Sequence, residues 1–232
     1  MLHDHFHPPL KNICPWTGFH SHWAGNLATA INRVLPEGWV AYPTVHWDIE
    51  VDVAAFEKRT ATETASTRSS GRQSWPEPLQ TIDFGLTTDI VEVRVYRDLG
   101  ELSLAGAVEF VSPANKDRPE NRDAFLVKCD AYLRDRVGLV MVDIVTNRHA
   151  NLHTQLMERF GETNEQEANL YVAAYRPFAQ VTKPSLSIWY RTLQLGGELP
   201  MMLLFLKDGP VVELPLDHAY SQTCTDLKIS SE

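Results

Sequence analysis

Cysteine is scarce: Cys14, Cys129 and Cys224 are the only three in 232 residues, and their spacings are unrelated. That excludes a disulfide framework and a clustered-thiolate zinc site, and it points to reduced thiols in the cytoplasm. Basic charge is short as well, with 21 Lys and Arg against 30 Asp and Glu for a net charge of −9. Such a balance argues against a general nucleic-acid-coating surface. It leaves room for a phosphate site in which a metal ion supplies the positive charge locally. No apolar run reaches the roughly 18 residues that span a bilayer, and the start, MLHDHFHPPL, lacks the basic-then-apolar order of a signal peptide. No membrane partner is therefore expected. Neither a GxGxxG nor a Walker motif is present, so nucleotide-cofactor chemistry is not expected. No GxSxG elbow surrounds Ser112 to make it a nucleophile.

What the chain does have is enough apolar residue, 44%, to bury a sizeable core, and residues 1–232 read as a single α/β domain. The centre of it is 101–146. AVEFV, residues 107–111, is a strand that is apolar except for Glu109. A buried carboxylate costs several kcal/mol unless it is paired, protonated or bound to a metal, and Lys116 and Lys128 are the nearby candidates. Ser112 to Arg118 reads as a loop, with Pro113, Asn115 and Pro119 ending the strand. A helix follows, from Glu120 or Asn121 to about Arg136, with Phe125, Leu126, Cys129, Tyr132 and Leu133 at helical spacing. Lys128 shares a face with Tyr132. GLVMVDIV, residues 138–145, is then a near-continuous apolar strand of the kind buried on both faces. The crossover between the two strands is expected to be right-handed. Ligands in open α/β sheets bind outside the carboxyl ends of strands, where Ser112, Asn115 and Lys116 lie. That loop offers a hydroxyl, an amide and an ammonium to an anionic ligand. Asp143, on the second strand, reads as a structural acid for Lys116, Asn115 or a backbone amide.

Elsewhere, residues 1–16 read as irregular, with His3, His5 and His7 at a loose terminus. Trp16 to Leu35 repeats Phe19, Trp23, Leu27, Ile31 and Leu35 every four residues, a helix laid on the sheet and closed by Pro36 and Gly38. His20 and His22 read as hydrogen-bonded structural histidines. WDIEVDVAAF, 47–56, alternates and then turns apolar, which carries Asp52 into a strand that is becoming buried. Residues 58–74, rich in Ser and Thr, read as a mobile surface loop. Asp89–Arg97 and Glu101–Val111 form a hairpin about Leu99 and Gly100. With those two as the whole turn, Glu92 and Glu109 become diagonal neighbours on one face, and Arg94 can neutralise Glu92. The remainder gives a helix at 147–161, a hairpin from LYVAAYRP and SLSIWYRTL, a strand, turn and strand in MMLLFLKDGPVVELPL, and a terminal helix.

EFVSPANK with its following Lys-bearing helix and VDIV strand resembles a bacterial family, itself of undefined function, whose core reads E-x-x-S-P-A-N-K. That family and the Uma-type proteins are similar to the PD-(D/E)XK restriction-endonuclease-like fold. The resemblance extends over WTGFHSHW, VEVDVAAFE, VEVRVYRD and LFLKDGPVVELPLDHAY. It implies a mixed central sheet with flanking helices and a metal-dependent, nuclease-like phosphodiesterase site with nucleic acid as partner. On this chain the Mg²⁺ or Mn²⁺ ligands would be Asp52, Glu92 and Glu109. The usual lysine position, two residues beyond Glu109, holds Val111, so the lysine role would pass to Lys128 or to Lys116. The alternative is a non-catalytic domain of the same fold that binds a partner or an anionic ligand at Ser112, Asn115 and Lys116. The number of copies stays open, a homodimer included.

Overall fold

Six strands form one mixed sheet in the order of the chain, β1-β2-β3-β4-β5-β6. They are β1 (Trp39–His46), β2 (Ile90–Asp98), β3 (Leu102–Phe110), β4 (Gly138–Asp143), β5 (Tyr171–Ala179) and β6 (Pro184–Thr192). The structure, a computed structural model, describes residues 1–46, 90–163, 168–179 and 184–229. Asp52 and the 58–74 segment lie outside the described residues. β3 and β4 are parallel and the other neighbours antiparallel. The parallel pair is joined through a short helix, α3 (Pro113–Asp117), and a long one, α4 (Pro119–Arg134). The expected strand, helix, strand unit is thus present. All six residues of β4 are buried, as a central strand covered on both faces requires.

On one face lie α2 (Trp16–Asn32), α6 (Leu216–Asp226) and a separate two-stranded ribbon, β7 (Met202–Phe205) with β8 (Val211–Leu214). Phe19, Trp23, Leu27 and Ile31 of α2 are fully buried, which at about 1.5–3 kcal/mol per large apolar side chain makes this helix a principal clamp on the sheet. The ribbon crosses the middle of β3 and the amino end of β4, where Gly106 and Gly138 leave room. A Cβ on Gly138 would collide with the Phe205 carbonyl, and one on Gly106 would press into the Leu206 side chain. The other face carries α4 and α5 (Leu152–Arg159). A one-turn helix, α1 (Leu10–Ile13), precedes α2.

The amino terminus differs from its expectation as a loose segment. Leu2, Phe6 and Leu10 are buried, and the Leu2 N–H donates to the Gly197 carbonyl at 2.7 Å. His5 is buried beside Phe19, with Nε2 2.6 Å from the Tyr220 hydroxyl. That hydroxyl also accepts the His3 N–H at 2.9 Å. Burial, chiefly, lowers the His5 pKa to about 3, which keeps the imidazole neutral. His20 Nδ1 lies 2.8 Å from the Trp16 carbonyl, and His22 Nε2 lies 2.9 Å from Asp226, the structural roles expected of both.

Candidate functional site

Glu92 and Glu109 stand directly opposite each other on β2 and β3, closer than the diagonal expected. Two irregularities account for the difference. The connection holds three residues, Leu99 to Glu101, between the paired Asp98 and Leu102, and Ala105 is an extra residue where the register shifts between Val95 and Tyr96. Each moves the register by one. Two such moves keep both glutamates on the same face, because side chains alternate with period two, but they convert the diagonal into direct opposition. Like charges directly opposed on a sheet repel, so this pair needs cations.

Lys128 supplies the first. It comes from α4, which packs on this face of the sheet, and its Nζ lies 2.7 Å from Glu109 Oε1 and 3.6 Å from Glu92 Oε2. It also donates to Glu109 Oε2 at 2.8 Å. Arg94, two residues along β2, supplies the second, with Nη2 2.6 Å from Glu92 Oε1. Tyr132, one turn beyond Lys128 on α4, donates its hydroxyl to Glu92 Oε2 at 3.1 Å. The carboxylates are sealed, at 0% and 1% side-chain exposure, whereas Lys128 keeps 19% and Arg94 27%. The site therefore opens to solvent on its cationic side.

The two acids differ in proton affinity. Burial raises the Glu92 pKa, but the Glu109 carboxyl, Lys128, Arg94 and Tyr132 together outweigh it and hold Glu92 down at about 2. For Glu109, burial first and then the charge of Glu92 push the pKa well above the carboxylate range, against the pull of Lys128. Burial would lower the Lys128 pKa, yet the two glutamates raise it, so the ammonium stays charged. With Glu109 ionised the two acids and two bases cancel formally, and a proton held on Glu109 leaves the centre net positive. Each Oε1 contacts its cation without a hydrogen bond. Among the described residues no group of three or more His, Cys, Asp or Glu converges as a metal cluster. The third expected ligand, Asp52, is outside them.

Lys116 does not join Lys128. Its Nζ donates to Asp143 Oδ2 at 2.8 Å, with both side chains at 0% exposure. The Val145 N–H donates to the other Asp143 oxygen at 3.1 Å. Burial, partly offset by Lys116, pushes Asp143 up to about 6. This is the structural use expected of Asp143. Ser112 and Asn115, expected in a loop, instead begin α3 with a capping box. The Ser112 hydroxyl accepts the Asn115 N–H at 3.3 Å, and Asn115 Oδ1 accepts the Ser112 N–H at 2.8 Å. Both residues are buried, so their polar atoms serve the helix start before any ligand. The sequence had not assigned Tyr132 to the site. Its signal was the four-residue spacing from Lys128, which places both on one helical face.

No helix among the described residues is long and apolar enough to cross a membrane. Compared with protein-family models, with curated proteins and with solved structures, the chain finds no match in any of the three.

Proposed function

We propose that this α/β domain is restriction-endonuclease-like and hydrolyses phosphodiester bonds with a divalent cation, at the centre formed by Glu92, Glu109 and Lys128. The observation that carries the reading is the ammonium of Lys128 resting on two opposed carboxylates of adjacent strands. The lysine missing two residues after Glu109 is thereby replaced, at the same pair of acids, from the following helix. The donor set suits Mg²⁺ or Mn²⁺, because such ions prefer oxygen ligands and commonly take one or two carboxylates together with substrate phosphates. The ion would stabilise charge on the phosphate as a Lewis acid. Glu92 and Glu109 would hold it, Arg94 and Tyr132 would orient Glu92, and the partly exposed Lys128 would face the phosphate's charge or position the attacking water. Nucleic acid is the substrate class that this reading names.

One observation favours the other reading, a non-catalytic domain of the same fold: Lys128 and Arg94 already balance both acids. Mn²⁺ titration calorimetry separates the two, run on the wild type and on Glu109→Ala with the fold checked by circular dichroism. Micromolar binding that disappears in the variant, with metal-dependent cleavage of DNA or RNA by the wild type, supports the nuclease. A folded wild type that takes up no Mn²⁺ leaves the centre as an internal ion-pair network.

A further inference from the structure

A cleft of about 460 Å³ opens where the β7–β8 turn meets the carboxyl end of β5. It lies away from the glutamate centre. β5 runs antiparallel to β4, so its carboxyl end sits at the amino end of β4, and Phe205 of the ribbon covers the face opposite α4. Three cations line the cleft, Arg136, Arg176 and Lys207, against a single acid, Asp208. That is an excess of positive charge in a chain whose net charge is −9. Arg136 reaches Asp208 only at 3.9 Å, and Lys207 meets Asp135 at 3.0 Å, on a carboxylate that is 70% exposed. Surface pairs of this kind hold their cations weakly. Among the described residues Arg176 has no carboxylate partner, and its guanidinium lies 5.2 Å over the Phe205 ring.

The apolar part of the lining is Pro177, Leu206 and two aromatic rings. Phe205 stacks on Trp189 with centroids 4.6 Å apart and planes 24° apart, and Phe178 adds a second ring to the cleft. The turn that carries Lys207 is fixed before any ligand arrives. The Lys207 N–H donates to the Ala105 carbonyl at 2.9 Å, the carbonyl of the extra bulge residue, and the Gly209 N–H donates to the Leu206 carbonyl at 3.1 Å. Gly209 in turn packs under the Trp39 ring, where a Cβ would collide.

We infer that this cleft binds a nucleotide, with the phosphate on Arg136, Arg176 and Lys207 and the base against the wall of Phe178 and Phe205. The volume is in the range of small-molecule sites. Guanidinium and ammonium groups select phosphate, while rings beside them favour a planar base, which inorganic phosphate lacks. A free nucleotide and one unit of a single strand share this chemistry.

The test is calorimetric titration of the full chain with AMP, with inorganic phosphate and with a short oligothymidylate, repeated on Phe178→Ala and Arg176→Ala. Both side chains are at least partly exposed, so these variants should fold, which circular dichroism verifies. AMP or the oligonucleotide should bind with Kd of about 1 mM or tighter, and inorganic phosphate roughly tenfold more weakly, for want of stacking. Loss of the Phe178 ring should weaken binding about tenfold, and loss of the Arg176 guanidinium by a similar factor of about ten. Tighter binding of the strand than of AMP assigns the cleft to single strands, and the reverse assigns it to a free nucleotide. The inference is overturned if AMP and the strand bind no better than phosphate, or if both folded variants bind as the wild type does.

Discussion

Two acid–base centres sit on neighbouring strands, one closed by α3 and the other by α4, and they are built in opposite ways. Lys116 and Asp143 form a one-to-one pair at 0% exposure, with the second Asp143 oxygen taken by a backbone amide. This pair ties α3 to the end of β4, and no oxygen of the carboxylate is left over. The Glu92–Glu109 centre opposes two like charges, needs two cations to balance them, and leaves both of those cations in contact with solvent. Anchoring alone would be served by the first arrangement. The second accepts a repulsion that a single Glu-to-Gln change would remove, which is the reason to look for function there.

The contrast breaks most visibly at the sealed pair. Lys116→Ala strands a buried carboxylate and should destabilise the protein by about 3–5 kcal/mol, measured by urea denaturation, whereas Lys116→Met combined with Asp143→Leu should recover most of the loss. The sealed pair should also respond to pH. Asp143 has its folded pKa raised from 3.8 to about 6, so between these values the folded state binds more protons than the unfolded one. Its contribution to stability therefore falls as pH rises from about 4 to 6 and is flat above that. Subtracting the stability profile of Asp143→Asn from that of the wild type isolates this slope, and a difference profile that rises across the window would refute the assignment.

At the open centre the effects should be smaller. Lys128→Met removes the shared ammonium, but Glu109, whose pKa is already raised, can take up a proton in its place. The cost should stay near 1–3 kcal/mol, the penalty for an imperfectly satisfied buried polar group. A loss as large as that of Lys116→Ala would mean that the two centres are equally structural. Tyr132→Phe deletes only the hydroxyl that reaches Glu92 and should cost about 1 kcal/mol in the same assay. Because Tyr132 orients a proposed metal ligand, it should weaken Mn²⁺ binding by about tenfold or more.

Much of this fold was legible in the chain. The helical repeat of Phe19, Trp23, Leu27 and Ile31, the apolar run of β4 and the strand, helix, strand order around residue 113 are set by local periodicity. Periodicity survives whatever packs on it. That Glu109 would need a lysine was legible for a related reason: a charge inside an apolar strand demands a partner, and Lys116 and Lys128 were the two nearby, the structure choosing Lys128. Arg94 followed from the two-residue alternation of β2. The capping box at Ser112 and Asn115 was less so, because Pro113 and Pro119 mark a loop and the first turn of a helix equally well.

Composition and periodicity by themselves determined an α/β protein with a buried glutamate and a lysine to meet it. Only the tertiary structure decided that Glu92 would stand opposite Glu109, since that register depends on one extra turn residue and on Ala105 bulging where its carbonyl can meet Lys207. It alone also decided that Lys116 would go to Asp143 and not to the glutamates, and that Arg136, Arg176 and Lys207 would share a cleft with Phe178 and Phe205. These are contacts between residues far apart in the chain. No local spacing encodes them, because they exist only once strands, ribbon and helices have packed together.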